Sequence, residues 1–353
     1  MRTMDTTEIM KYDSEGMLDR VLQFPQQMQH ALSLSRERPL NWPSGRIANV
    51  CLAGMGGSGI SGDLVRSYLA DSLKVPFYVN RSYSLPEFVD ERTLLVISSY
   101  SGNTEETLSS YEEGLARNAQ IVCITSGGTV LEKAQSSGHP VFTIPTGFHP
   151  RAALGYLTVP LLFTLFYAKL IVQPETDLQE TIGLLDRLSK EYHPDRQENL
   201  PHKISAGLFG KIPLIYAAVP NFEAVVWRWK GQLSENSKVL AFANLFPELN
   251  HNEIMGWGPL TEINRHFQVV YLKDREYHPQ NQKRMAITKE ILEKHTPPVL
   301  EVESRGESLL ARIFSLIYLG DMVSVYLAAL NKVDPTPIEN IALLKQKINL
   351  IVS

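Results

Sequence analysis

Short runs of purely apolar residues alternate along the first half of the chain with longer segments in which apolar residues recur every three or four positions. Runs of the first kind are typical of buried parallel strands, and segments of the second kind are typical of helices. This pattern predicts strands at 47–53, 75–80, 94–98, 120–125 and 140–144. Helices are predicted between them at 59–73, 103–117 and 129–136. We therefore expect a doubly wound parallel sheet in this half.

The second half contains a similar series of elements. Strands are predicted at 212–219, 238–243, 268–272 and 299–302. Helices are predicted at 221–231, 308–330 and 338–351. The segments that precede the two series, 9–36 and 151–195, have helical spacing, with Pro25 interrupting the first, and residues 41–45 are a predicted turn. The similar order of elements suggests an internal duplication, although the two halves show no repeat at the level of residues.

The predicted fold class is therefore α/β, with two doubly wound parallel-sheet domains and helical N-terminal, linker and C-terminal segments. We expect the first domain at 1–155, the helical linker at 156–195, and the second domain with the last helix at 196–353. A chain of 353 residues is long for a single core and comfortable for two domains.

A hydroxyl-rich stretch follows the strand at 94–98 and runs into the next helix as Ser98-Ser99-Tyr100-Ser101-Gly102-Asn103-Thr104. Free backbone N–H groups at the start of a helix, together with clustered hydroxyls, favour an anion site. The stretch contains no lysine or arginine, which suits a single phosphate better than a triphosphate with its metal. The alternative is a well-capped turn, with Asn103 and Glu106 forming a capping box.

A glycine-rich loop, Gly54-Met55-Gly56-Gly57-Ser58-Gly59, follows the first strand and matches the G-x-G-x-x-G spacing of dinucleotide-binding proteins. Those proteins also need an acidic residue at the end of the second strand, where this chain has Asn80-Arg81-Ser82. Arg81 can in principle meet a 2′-phosphate, so the dinucleotide hypothesis is weakened and not excluded. A nucleoside-triphosphate loop is excluded because no Gly-Lys-Ser/Thr follows. The two loops are expected to face each other at the carboxyl edge of the sheet and to enclose a small phosphorylated ligand.

The composition and net charge of the chain limit the class of protein further. The net charge of −4 and the pI near 6.2 argue against a nucleic-acid partner. The N-terminus lacks an apolar core, and the apolar run 157–172 is interrupted and shorter than the ~20 residues that span a bilayer. Cys51 and Cys123 lie in apolar strand-like runs, as buried cysteines of a reducing compartment do. We expect a soluble cytoplasmic protein with no membrane partner.

The two loops together resemble the paired signature of the sugar isomerase (SIS) domain, a flavodoxin-like fold. Further stretches resemble the bifunctional phosphoglucose/phosphomannose isomerases, in the same order along the chain. They are Pro150-Arg151-Ala152-Ala153, Glu235-Asn236-Ser237-Lys238, Asn250-His251-Asn252-Glu253 and Asp334-Pro335-Thr336-Pro337. The resemblance runs from the first helix to the last and covers two SIS domains.

This resemblance implies that the protein interconverts glucose 6-phosphate, and mannose 6-phosphate, with fructose 6-phosphate through a cis-enediolate. Glu235 matches the family's base, Arg151 the arginine that faces the enediolate charge, and His251 the ring-opening residue. In relatives that histidine comes from the neighbouring subunit, which implies a homodimer. Lys345 matches the family's lysine, with Lys347 close enough to be confused with it.

The resemblance also assigns the substrate phosphate to a set of residues on the two loops. They are Gly56, Gly57, Ser58, Ser99, Ser101 and Thr104. Neither a cofactor nor a metal is expected, because the histidines show no metal-ligand spacing. Two alternatives remain: another SIS isomerase that acts on an amino-sugar or pentose phosphate, and a non-catalytic sensor of sugar phosphates that needs only the phosphate loops.

Overall fold

The fold comes from a computed structural model that describes residues 4–37, 46–196 and 199–352. The predicted turn at 41–45 lies outside these residues. Three helices come first, α1 (Thr6–Met10), α2 (Met17–Leu22) and α3 (Phe24–Glu37). The expected interruption near Pro25 is present, because Gln23 separates α2 from α3. Pro25 itself is the second residue of α3, a position where its missing N–H has no intrahelical partner to lose.

The first series of elements forms a parallel sheet with helices between its strands. Its elements are β1 (Asn49–Ala53), α4 (Gly56–Tyr68), β2 (Phe77–Asn80), β3 (Thr93–Ser99), α5 (Glu105–Ala116), β4 (Gln120–Thr125), α6 (Gly128–Ser137) and β5 (Val141–Thr143). The strand order is β2-β1-β3-β4-β5, and each neighbouring pair is parallel. All of β3 is buried, as its apolar run predicted. The expected doubly wound sheet is confirmed.

The chain then continues through helices into a second parallel sheet. After the 3₁₀ turn Pro150–Ala152 come α7 (Leu154–Tyr167), α8 (Glu175–Glu191), α9 (Leu200–Leu208), β6 (Ile212–Ala218), α10 (Glu223–Glu235), β7 (Phe242–Phe246), the 3₁₀ turns Glu248–His251 and Glu253–Trp257, α11 (Thr261–Asn264), β8 (Phe267–Lys273), α12 (Pro279–Leu292), β9 (Leu300–Glu303), α13 (Leu309–Asn331) and α14 (Glu339–Val352). The order β7-β6-β8-β9 repeats that of the first four strands of sheet one. The similar element order of the two halves is confirmed.

Two predicted elements of the second half, the helix at 221–231 and the strand at 238–243, have different bounds in the structure. Helix α10 does not end at Gly231 but continues to Glu235, because Gln232 and Leu233 carry its buried face one turn further. Strand β7 begins at Phe242 and not at 238, because only from Phe242 does the chain pair with Leu214 of β6. Helix α12, which was not predicted, fills the space between β8 and β9.

Helix α13 is the centre of the core. Its length and composition would allow it to cross a membrane, but 94% of its apolar 18-residue stretch is buried inside the protein. It packs against α2, α8, α9 and α10, and so joins helices from both halves of the chain. Gly320 is needed here, because a Cβ at this position would lie 2.4 Å from Trp229 Nε1. That indole N–H donates to the carbonyl oxygen of Leu316 at 2.8 Å.

Helices α7 and α8 lie where the helical linker was expected, and the domain boundaries themselves stay predictions. Pro160 lies inside α7, whose apolar side chains are buried in the core cluster that joins the two sheets. The thiols of Cys51 and Cys123 are also buried, and burial raises the pKa of each to about 12.

Candidate active site

A cavity of about 410 Å³ lies between α4 and α10. Both predicted domains contribute to its walls. The lining residues are Gly56, Gly57, Ile60, Asp63, Arg66, Arg81, Arg151, Glu223, Trp227, Arg228, Gly231, Gln232 and Glu235. Four residues that the sequence predicted for the site, two glycines, an arginine and a glutamate, therefore share one cavity.

The glycine loop brings a second segment against the start of α4. A Cβ at Gly57 would lie 2.4 Å from the backbone oxygen of Pro150. Only glycine therefore allows the turn that carries Arg151 to approach this closely. Gly56 has a φ of 49° and open space where its Cβ would be. Ser58, the next residue of the loop, is buried, and its Oγ accepts a hydrogen bond from the N–H of Tyr100 at 3.2 Å.

That hydrogen bond joins the glycine loop to the hydroxyl loop after β3, so the two loops meet as expected. Within the hydroxyl loop, Ser99 Oγ donates to Thr104 Oγ1 at 3.1 Å and accepts from Gly102 N at 3.1 Å. Ser101 Oγ accepts from the N–H of Asn103 at 3.3 Å. Ser99 is buried, Thr104 half-buried and Ser101 exposed.

The predicted capping box of Asn103 with Glu106 is wrong. Helix α5 begins at Glu105 with Thr104 as its N-cap. Asn103 instead accepts hydrogen bonds from the backbone N and the Oγ1 of Thr129, at 3.0 and 3.1 Å, and so caps the start of α6. The reason is the turn at Gly102, whose φ of 71° brings this loop against the one before α6.

Arg151 reaches the cavity from a deeply buried position, with a side chain that is 4% exposed. Its Nε donates to Asn236 Oδ1 at 2.7 Å. Its Nη2 donates to the carbonyl oxygens of Pro335 and Thr336 at 2.9 and 2.8 Å. Three fixed acceptors thus hold the guanidinium in one orientation. Burial lowers the pKa of Arg151, an effect that the Glu235 carboxylate opposes.

Glu235 faces the remaining side of this guanidinium. It is the last residue of α10, and its Oε2 lies 3.6 Å from Arg151 Nη1. Its side chain is 33% exposed. Lys238 donates from Nζ to the carbonyl oxygen of Pro337 at 2.7 Å and also to that of Glu235, so it ties the end of α10 to the segment before α14. A carboxylate and a buried cation therefore face one cavity, an arrangement suited to proton transfer beside a developing anion.

The structure does not bring His251 or Lys345 to this cavity within one chain. His251 is exposed at the end of a 3₁₀ turn after β7, and Lys345 is exposed on α14. A second cavity of about 570 Å³ lies between the end of α10 and the start of α14. Glu235 lines both cavities and so lies between them.

Sequence reasoning missed the side chains that support Arg151. Asn236 belongs to a motif that does not indicate its contact with Arg151, and no motif contains Arg228, which donates to the Arg151 carbonyl oxygen at 2.7 Å. The available signal was helical spacing, because Arg228 lies two turns before Glu235 on α10. Among the residues that the structure describes, no group of three or more His, Cys, Asp or Glu is suited to a metal.

Comparison with known proteins first gives the class. The family model described as "SIS domain" matches residues 47–168. The one described as "Bacterial phospho-glucose isomerase C-terminal SIS domain" matches residues 197–348. The fold also superposes on the crystal structure of a hypothetical protein from Thermus thermophilus, with a TM-score of 0.75, 16% identity, and coverage of 98% of this chain and 93% of the other. The chain is thus built from two SIS domains.

Comparison of whole sequences then gives the family. A bifunctional phosphoglucose/phosphomannose isomerase of Caldicellulosiruptor bescii is 44% identical over 94% of this chain and 98% of the relative. One from Thermoplasma acidophilum is 39% identical over 87% of this chain and 91% of the relative. The chain therefore belongs to the bifunctional phosphoglucose/phosphomannose isomerase family, and the resemblance on which the sequence analysis relied is confirmed.

Proposed function

We propose that this protein is an isomerase that interconverts glucose 6-phosphate and mannose 6-phosphate with fructose 6-phosphate through a cis-enediolate. The observation that carries the proposal is the pairing of Glu235 with the buried Arg151, at 3.6 Å, in a cavity that opens at the glycine loop. We assign the cytoplasm as the place of this reaction.

Glu235 is the base that moves the proton between C1 and C2 of the open-chain sugar. It accepts the proton from one carbon and returns it to the other, so no net proton is consumed. The electron pair released from the C–H bond forms the C1–C2 double bond, and the π electrons of the carbonyl group move to its oxygen, which gives the enediolate. A hydroxyl proton passes between O1 and O2 before the carbon is reprotonated, so that the carbonyl group forms on the other carbon. Arg151 faces that charge with Nη1, and because its other N–H groups are held by backbone and amide oxygens, it needs no reorganisation when the charge forms.

The substrate phosphate is assigned to the two loops at the carboxyl ends of β1 and β3. Its ligands are the N–H groups and hydroxyls of Gly56, Gly57, Ser58, Ser99, Ser101 and Thr104. The Ser58–Tyr100 hydrogen bond supports this assignment, because it keeps the two loops side by side. The phosphate would then hold the sugar so that C1 and C2 reach Glu235, and both C2 epimers fit one base if the C2–C3 bond rotates.

His251 and Lys345 are assigned to ring opening, with His251 supplied by the second subunit of a homodimer. Imidazole is suited to giving a proton to the ring oxygen and taking one from the C1 hydroxyl. The exposure of both side chains on one chain supports a contribution across a subunit boundary. Exposed apolar residues near His251 in sequence, Met255 at 82% and Leu260 at 58%, support the same assignment.

A coupled assay that follows glucose 6-phosphate formation from fructose 6-phosphate tests the proposal directly. We expect turnover with fructose, glucose and mannose 6-phosphates, and none with glucosamine 6-phosphate or a pentose phosphate. Binding of the sugar phosphates without turnover would show a sensor and not an isomerase. Turnover only of an amino-sugar or pentose phosphate would move the protein to another SIS reaction.

The role of Glu235 has its own test. Glu235→Gln keeps the shape of the side chain but removes the base, so we expect it to bind fructose 6-phosphate and to lose proton exchange at C1 and C2. Exchange is followed by deuterium incorporation from solvent into the recovered sugar phosphate. Undiminished incorporation in the variant would exclude Glu235 as the base.

A further inference from the structure

Helix α13 contributes one residue to each of two buried ion pairs, and one of these pairs is hydrogen-bonded directly to Arg151. Arg228 on α10 donates to both carboxylate oxygens of Asp321, from Nε at 3.0 Å and from Nη2 at 2.8 Å. The two side chains are only 5% and 6% exposed. A pair so far from water is costly unless its other hydrogen-bonding groups are satisfied. Arg228 Nη2 also donates to the backbone oxygen of Arg151, at 2.7 Å.

The same face of α13 reaches the Arg151 side chain by a second route. Asn236 accepts from Arg151 Nε at 2.7 Å and donates to Ser324 Oγ at 2.9 Å. Ser324 Oγ in turn donates to the backbone oxygen of Asp321 at 2.6 Å. Positions 321 and 324 are neighbours on a helix surface. Helix α13 therefore holds the backbone of Arg151 through Arg228, and its guanidinium through Asn236.

We infer that the Arg228–Asp321 pair is a positioning unit that fixes Arg151 for the isomerase reaction. The inference rests on the proposed function, because that function gives the orientation of Nη1 a consequence for the rate. Arg228 lines the cavity, and Asp321 compensates its charge. Arg228 can therefore orient Arg151 without placing a second unpaired cation beside the substrate. A cation that is held in place beforehand stabilises developing charge more effectively than one that must reorient.

The test removes the pair as a unit. Arg228→Met combined with Asp321→Leu leaves no unpaired buried charge, so the fold is expected to survive. We expect kcat with fructose 6-phosphate to fall about ten- to one-hundred-fold, as when supporting contacts of a site are removed. KM is expected to stay within about threefold, because the proposed phosphate ligands lie on other loops.

The matched control is the other buried pair on the same helix. Arg312 Nε donates to Asp274 Oδ2 at 2.9 Å, and the two side chains are 3% and 1% exposed. This pair has no hydrogen bond to Arg151 among the described residues. Arg312→Met combined with Asp274→Leu therefore removes a buried pair of the same kind, together with the contact of Arg312 with the largely exposed Glu276, and we expect it to keep the wild-type kcat.

Ligand binding separates positioning from general damage. A phosphorylated aldonohydroxamate has a planar anion that resembles the enediolate, whereas sorbitol 6-phosphate has no such group. In the Arg228→Met/Asp321→Leu variant we expect the hydroxamate to bind more weakly in proportion to the loss in kcat/KM, and sorbitol 6-phosphate to bind as to the wild type. If this variant does not fold, Arg228→Lys is measured in the same assays. The lysine ammonium keeps a charge opposite Asp321 but lacks the fork of N–H groups that contacts both Asp321 and the Arg151 carbonyl oxygen, so a smaller loss with the same selectivity is expected.

The outcomes distinguish the inference from the proposed function. A wild-type kcat in the variant, or equal weakening of both ligands, overturns the positioning role and leaves the isomerase assignment intact. A wild-type protein that binds fructose 6-phosphate without converting it overturns the proposed function, and the positioning role falls with it.

Discussion

At the scale of single residues, Gly57 shows how a missing side chain places a functional one. The turn of Pro150 and Arg151 packs directly on the start of α4, where a Cβ on Gly57 would meet the Pro150 backbone oxygen at 2.4 Å. The sequence predicted that this glycine-rich loop faces the hydroxyl loop and encloses a small ligand. It did not predict that the turn that carries Arg151 packs on the same loop, because that turn lies far along the chain.

Gly57→Ala is therefore expected to displace the turn and with it Arg151. The obstacle is a backbone carbonyl, which cannot rotate away as a flexible side chain would. We expect kcat/KM to fall about one-hundred-fold, as for an ångström-scale misplacement in an active site. Steady-state kinetics on fructose 6-phosphate measure this loss.

The control for that variant is Gly183→Ala in α8. Its nearest neighbour, Arg187 Nη1, lies 3.9 Å from the new Cβ, which is ordinary contact. Alanine in a helix interior is more stabilising than glycine by about 0.5–1 kcal/mol. The free energy of unfolding should therefore rise slightly, and kcat/KM should not change. Unaltered kcat/KM in Gly57→Ala would show that the turn accommodates a methyl group.

At the scale of elements, Asn103 illustrates why a local motif can name the wrong partner. The Asn103–Glu106 spacing fits a capping box, yet the side chain caps α6 through Thr129. Local spacing describes which groups can meet within one turn of chain. It does not describe a neighbouring loop, which the parallel sheet places at the same edge.

Asn103→Ala should consequently destabilise the protein by about 1 kcal/mol, the usual effect of losing a helix cap. Urea denaturation measures the change. Glu106→Ala is the control, because alanine removes the side chain that a capping box requires, and we expect its effect to be clearly smaller than that of Asn103→Ala. An equal loss from both variants would favour the capping box after all.

Helix α13 is capped by its own Ser308, and the segment just before the helix is held by a residue of another helix. Glu180 on α8 accepts hydrogen bonds from the backbone N–H groups of Glu307 and Ser308, at 2.7 and 2.9 Å. Burial raises the pKa of Glu180, but these hydrogen bonds from Glu307 and Ser308 outweigh it, and the net pKa lies below the usual 4.5. The ionised carboxylate is thus the form that favours the folded state.

This shift predicts a pH dependence for Glu180→Gln. The stabilisation is fully present above pH 4.5 and is lost as the pH falls through the lowered pKa of the folded state. We expect the variant to lose about 1 kcal/mol at pH 7 and the difference from wild type to shrink as the pH falls below 4.5. Urea denaturation across this pH range measures the difference, with Glu290→Gln, at an exposed residue, as the control. A difference between Glu180→Gln and wild type that did not change with pH would contradict the role assigned to the Glu180 carboxylate.

At the scale of the whole molecule, the proposed catalytic set is divided in space. Arg151 and Glu235 share a cavity, whereas His251 and Lys345 are exposed on the same chain. Helix α14 also exposes apolar side chains, among them Leu343 at 49% and Leu344 at 59%. The proposed homodimer, in which one subunit completes the other's site, would account for both features.

Mixed dimers test this division. Glu235→Gln and His251→Ala homodimers should each be inactive. If His251 acts across the interface, a dimer of one of each has one site with both residues intact and one site that lacks both. Random mixing then restores roughly one quarter of wild-type activity. If His251 acts within its own chain, every site lacks one residue and mixing restores nothing.

The resemblance to a known family singled out Arg151 and Glu235 as candidate site residues, whereas the sequence by itself determined the two parallel sheets and the facing glycine and hydroxyl loops. Those features depend on local periodicity and on short motifs, because buried strands and helix starts need particular residues in consecutive positions. Only the tertiary structure decided how Arg151 is held, because its partners Asn236, Pro335 and Thr336 are remote in sequence. Their meeting depends on how α10 packs against α13, and no local pattern records that packing.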